Sequence, residues 1–253
     1  MPSLNRLAAA GLLAAAIAGS ATACASGGSG TTGSSALVGK SPDQIVQKSV
    51  ADLKAASSVR ITGKLVDSGQ GVTLDLVDVA AQGCQGTIGL GASTAATGSS
   101  SAPVSGTADL VVSDGTVYMK LDQSFFKTAN LGLPASEFSD VVGKYIKLTP
   151  TSDLASFAQL CNPSTLAGAF AKEDTGFVTA GSAMINGQPA LGFKQPKKTS
   201  NGTVYVSDTA TPEIVRIAGP SDEGSVDFSD YNAPATITAP PASEVIDGGK
   251  FGL

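Results

Sequence analysis

Ser124 and Lys127 stand three apart in "SFFK", the spacing at which a lysine amine can deprotonate a serine hydroxyl for attack on a carbonyl. Such a pair works with S-D-N and K-T-G motifs, and neither occurs in the chain. The plainer reading is one helical turn that holds Phe125 and Phe126 inward and leaves Lys127 in solvent. Asp75 and Asp78 lie three apart on an expected strand, hence on opposite faces, so they cannot share a proton. The chain has no histidine, which removes the usual general base and the commonest metal ligand together. Neither a G-x-S-x-G turn nor a Walker loop is present. These residues predict no enzyme, no cofactor and no metal.

Cys24 carries a different chemistry. A polar opening with Arg6 is followed by Leu7 to Gly19, "LAAAGLLAAAIAG", an apolar run too short to span a bilayer comfortably and suited to a secretory leader. Ala21 and Ala23 then place small side chains just before Cys24. This seam resembles the lipobox of bacterial lipoproteins, with Ala21 where Leu is commoner. The resemblance implies that the Cys24 thiol takes a diacylglyceryl group and that cleavage leaves Cys24 as the new N-terminus. The alternative is a secreted protein cleaved near Ala23 with an incidental thiol. Acyl chains such as palmitate, at about 0.8 kcal/mol per buried CH₂, hold a protein at a membrane. The string "ASGGSGTTGSS" after Cys24 reads as a flexible tether with a reach of roughly 20 Å. The expected division is a leader over 1–23, a lipidated tether over 24–38 and one domain over 39–253.

Composition narrows the partners. The net charge is −5, and the densest basic stretch, "KQPKK" (194–198), is too short and interrupted to track a phosphate backbone. Nucleic acid is excluded as a partner. Cys84 and Cys161 lie 77 positions apart, and in an oxidising exterior two remaining cysteines most simply pair. Closing that loop is worth about 4 kcal/mol on the chain-entropy account. Two buried thiols, or a two-cysteine metal site, are the less favoured alternatives.

Several elements must position these groups. "SPDQIVQKSVADLKAAS" starts a helix at 42–56, with Ser41 as cap, Pro42 in the first turn and Gln44 closing a capping box. "SVRITGKLVD" and "GVTLDLVDV" read as strands. "GTADLVVSDGTVYMKL" reads as a hairpin, with Ala108, Leu110 and Val112 alternating into Asp114-Gly115 and Val117, Met119 and Leu121 alternating out. Asn186-Gly187 and Asn201-Gly202 mark further turns, and "SDEG" (221–224) another. "KYIKL", "GFVTAGSAMI", "PALGFK", "TVYVS", "EIVRI", "SVDFS" and "ATITA" supply more short strands. Between Gln123 and Asp174 the strands give way to helical pieces, "QSFFK", "SDLASFAQL" and "NPSTLAGAFAKE", the last capped by Asn162 and begun by Pro163. The fold class is α+β: an antiparallel sheet of about ten strands that must curl, with helices covering its concave side.

The order of these features resembles the LppX/LprA/LprF/LprG lipoproteins of actinobacterial envelopes, which share a LolA/LolB-like fold. The resemblance rests on Cys24, the helix at 42–56, "LVVSDGTVYMKL", the helical stretch 152–172, "INGQ" (185–188), "TVYVSDTATPEIVRI" and "VDFSDYNAPATITAPP". It implies a curved antiparallel half-barrel enclosing an apolar cavity, and binding or shuttling of acylated lipids or lipoglycans at the outer face of the cell membrane. Candidate lining residues are Val117, Met119, Leu121, Phe125, Ile146, Leu148, Leu154, Phe157, Leu160, Leu166 and Phe170; each would equally fill a solid core. The Cys84/Cys161 pair departs from the family pattern. The alternative function is a structural or sensory envelope lipoprotein that docks a protein partner and carries no lipid.

Overall fold

The computed structural model describes residues 37–67, 70–92, 104–129, 135–170, 175–196, 202–220 and 223–253. Residues 1–36, which hold the expected leader, Cys24 and most of the expected tether, and Asn201 and Ser221 therefore lie outside the described residues. Helix α1 (Pro42–Ala55) begins as its sequence dictates: the Ser41 hydroxyl accepts from Gln44 N at 3.3 Å, and Ser41 N donates to Gln44 Oε1 at 3.0 Å. Ile45, Val46 and Leu53 are buried, while Lys48 and Asp52 pair across one turn on the outside at 2.6 Å.

The strands follow as β1 (Ser58–Asp67), β2 (Gln70–Val79), β3 (Gly83–Ala92), β4 (Val104–Ser113) and β5 (Thr116–Leu121). Helices α2 (Gln123–Ala129) and α3 (Ala135–Val141) precede β6 (Tyr145–Lys147). A 3₁₀ helix (Asp153–Cys161) and α4 (Pro163–Phe170) then lead to β7 (Val178–Ile185), β8 (Gln188–Lys194), β9 (Thr203–Ser207), β10 (Ile214–Ala218), β11 (Gly224–Ser229) and β12 (Val245–Asp247). All twelve strands form one curved, unclosed sheet in the order β12-β6-β5-β4-β3-β2-β1-β11-β10-β9-β8-β7. Pairing is antiparallel except where β12 runs parallel to β6. Asp114-Gly115 and Asn186-Gly187 make their turns with both residues at positive φ, the backbone that type I′ hairpins require.

Register builds the interior. Phe193, Val204, Ile217, Val226, Gly63, Leu74, Ile88, Ala108 and Leu121 form one cross-strand row over nine strands, β8 through β5. Every member except Gly63 is buried. A parallel row holds Phe228, Ile61, Leu76, Gly86, Leu110, Met119 and Ile146. Both belong to the single large apolar cluster, which also contains Phe125, Leu154, Leu166 and the inner face of α1. Strand β6 lies next to one edge of the sheet and β7 forms the other. The 3₁₀ helix and α4 that follow β6, with α2 and α3 before it, bury Leu154, Leu166, Phe125 and Val141 in this cluster and so form its cover.

Two expectations change. The sheet has twelve strands, not about ten. Strand β3 was hidden by its glycines at 83, 86, 89 and 91, which dilute the alternation, and β12 is only three residues long. "ATITA" (235–239) is not a strand: prolines flank it, and it lies against the outer face, where Ile237 packs with Val79 and Val111 and its N–H donates to Gln82 Oε1 at 3.2 Å.

Candidate functional site

Three chain segments meet at one end of the cover. The last turn of α1 brings Leu53, Lys54 and Ala56; the β2–β3 turn brings Asp78, Val79, Ala80, Ala81 and Gly83; the junction of the 3₁₀ helix with α4 brings Cys161, Asn162, Pro163 and Ser164. They enclose an open cleft of about 280 Å³.

Each wall is fixed by local chemistry. The β2–β3 turn is tied down by Ala80 N donating to Ser57 O at 2.9 Å and Gln82 N donating to Val79 O at 3.0 Å, with Ala81 held at φ 63°. Asn162 caps α4 as its sequence predicts: its Oδ1 accepts from Ser164 N and Thr165 N, each at 3.1 Å, and from the Ser164 hydroxyl at 2.6 Å. A disulfide joins Cys84 to Cys161, Cα to Cα 5.6 Å, and so bolts this junction to β3. At the far end of the cover Asp122 clamps α2 to β4, accepting from Phe125 N at 2.6 Å and from both Thr107 N and Thr107 Oγ1 at 2.8 Å.

Asp78 is the acidic group of the cleft. It continues the inward series Leu74, Leu76 along β2, opposite Val59 and Cys84, and ends half-buried. Burial pushes its carboxyl up to about 6, from an ordinary value of 3.8. Among the described residues no hydrogen bond or ion pair engages that carboxylate. Asp75 faces the other way, where Arg60 holds it bidentately at 2.9 and 3.0 Å. The two acids are on opposite faces, as their spacing requires.

The cavity-lining candidates do not border this cleft. Met119, Leu121, Phe125, Ile146, Leu148, Leu154 and Leu166 are buried in the large cluster, and Val117, Phe157 and Leu160 pack against it partly buried. Phe157 meets Phe125 edge to face at 6.2 Å. Phe170 ends α4, and its side chain lies outside the described residues. Ser124 and Lys127 are exposed, with Phe125 and Phe126 turned inward. Among the described residues no group of three or more metal-ligating side chains occurs, and no helix is long and apolar enough to cross a membrane. Sequence reasoning weighed Asp78 only as a partner for Asp75. The missed signal was its phase: an acid at the next inward position after two buried leucines.

No family profile and no curated protein matches the chain. Solved structures do. The crystal structure of LprF from Mycobacterium bovis is similar over 79% of this chain and 96% of that one, with 16% identity and a TM-score of 0.46. The Mycobacterium tuberculosis lipoprotein LppX is similar over 78% of this chain and 98% of that one, with 15% identity and a TM-score of 0.40. A DUF1329 family protein from Desulfovibrio piger is similar over 77% and 93%, with 9% identity and a TM-score of 0.27.

Proposed function

We propose that this chain is an extracytoplasmic lipoprotein, anchored to the cell membrane through Cys24, that binds a lipid or lipoglycan by its acyl chains. In this reading 1–23 is the leader, 24–38 the anchored tether and 39–253 the binding body. The observation that carries it is the nature of the cover. An apolar face nine strands wide is roofed, apart from α1, by pieces of at most nine residues. Helices that short have no stability of their own in water and owe their positions to contact with the sheet. Those contacts can be exchanged for contacts with a hydrocarbon chain at little net free energy, because one apolar neighbour replaces another. Met119, Leu121, Ile146 and Leu148 on the sheet, and Phe125, Leu154, Phe157 and Leu166 on the cover, are then the surfaces an acyl chain parts. Nothing in this reading calls for a reaction, a cofactor or a metal.

Native mass spectrometry of the full chain taken from cells tests it. The expected spectrum contains protein plus bound lipid, beyond the anchor's own acyl mass. A lipid-free mass, together with no uptake of a fluorescent fatty acid or phospholipid, overturns the reading in favour of a protein-docking lipoprotein.

A further inference from the structure

The cleft at the end of the cover has a composition that the interior lacks. Its volume of about 280 Å³ sits at the bottom of the range for small-molecule sites, so it suits a compact polar group and not a pair of hydrocarbon tails. Asp78 stands inside it, half-buried and without a partner among the described residues. Lys54 is the only other charged side chain among the described residues of its lining and is exposed on the last turn of α1. Leu53, Lys54 and Ala56 bring the C-terminal turn of α1 to the lining, and the end of a helix where carbonyls are left over favours positive charge. Leu53 and Pro163 add apolar surface to the lining. Asn162 Oδ1 is already occupied by the cap of α4, so it does not compete for a cation.

A half-buried carboxylate without a counter-ion is a costly group, and a cation delivered to it recovers that cost. We propose that this cleft binds an aminoalkyl phosphate, with the ammonium group against Asp78 and the phosphate turned outward to Lys54. The same chemistry is offered by a free phosphoethanolamine and by a phosphatidylethanolamine head group. The site goes beyond the acyl-binding reading and does not depend on it, because none of the residues proposed to meet an acyl chain lines the cleft. Acid weakens binding: Asp78 is half neutral near pH 6, Lys54 is the other titratable side chain among the described residues of the lining, and the ligand's ammonium keeps its proton throughout.

The test is calorimetric titration of O-phosphoethanolamine, ethanolamine and inorganic phosphate into the full chain carrying Cys24→Ser, which removes the acyl anchor. The expected order is phosphoethanolamine tighter than ethanolamine, with no binding of phosphate alone. Asp78→Asn should weaken both amines at least tenfold, and lowering the pH from 7.5 to 5 should weaken them several-fold. Lys54→Gln, a change at an exposed position without folding risk, should weaken phosphoethanolamine severalfold and leave ethanolamine unchanged. Flotation with vesicles of phosphatidylethanolamine and phosphatidylglycerol, against phosphatidylglycerol alone, separates the two sources: recruitment that needs both phosphatidylethanolamine and Asp78 identifies the head group, and binding of the free compound alone identifies the soluble one. Failure of both amines to bind, equal binding of inorganic phosphate, or indifference to both substitutions overturns the proposal. Retention of acyl lipid by Asp78→Asn in native mass spectra would leave the function proposed above standing while a silent titration removes this one.

Discussion

Two carboxylates at opposite ends of the cover respond to acid in opposite directions. Asp122 is drawn upward by burial, but hydrogen bonds from Phe125 N, Thr107 N, Thr107 Oγ1 and Ser124 N outweigh this and hold it below its ordinary value. Its contribution to stability is therefore complete above the unfolded carboxylate value and fades as the pH falls through the folded one. Asp78 is the reverse. The folded state binds its proton more tightly than the unfolded chain does, so between about pH 4 and pH 6 stability falls as the pH rises. Above that window the full penalty of an ionised, half-buried group is present. Asp78→Asn keeps the shape and removes the charge. Thermal melts should show the variant more stable than the parent at pH 8 and nearly equal to it at pH 4; an equal difference at both values would refute the assignment.

The elements owe their positions to small residues as much as to large ones. Gly106 on β4 is in contact with α2, and a Cβ built there would fall on the backbone nitrogen of Phe125. Gly106→Ala must push α2 off the sheet or strain the strand, and overpacking of this kind costs about 1–3 kcal/mol. Denaturant unfolding should find that loss, and a change within a few tenths of a kcal/mol would mean that α2 is not seated as described. The same glycine economy explains what could be read from the sequence. Helix α1, the Asp114-Gly115 hairpin and the Asn162–Pro163 start of α4 were legible because capping and turn chemistry are local. β3 was not, because Gly86 breaks its inward series and the neighbours Leu76 and Leu110 supply the apolar side chains there. The cleft was illegible for another reason: its three segments are far apart in sequence, and only the sheet order and the disulfide bring them together.

At the scale of the whole molecule, one covalent link ties cover to sheet. The Cys84–Cys161 bridge closes a loop of 77 residues that contains β4, β5, α2, α3, β6 and the 3₁₀ helix. Its removal in a Cys84→Ser/Cys161→Ser double variant should lower stability by about 4 kcal/mol on the chain-entropy account, which for a body of this size is a fall of roughly 10 °C in melting temperature. A melt that does not move would show that packing alone holds the cover. The sheet order has a further consequence, for the nascent chain. β1 acquires β2 at once, but its other edge waits for β11, where Arg60 meets Ser229. Translation must pass all of β3 through β10 before that seam can be sewn, a long-range closure of the kind that folds slowly and leaves bare strand edges to stick to one another. A ribosome that stops short of Gly224 therefore releases an adhesive fragment rather than a smaller working protein.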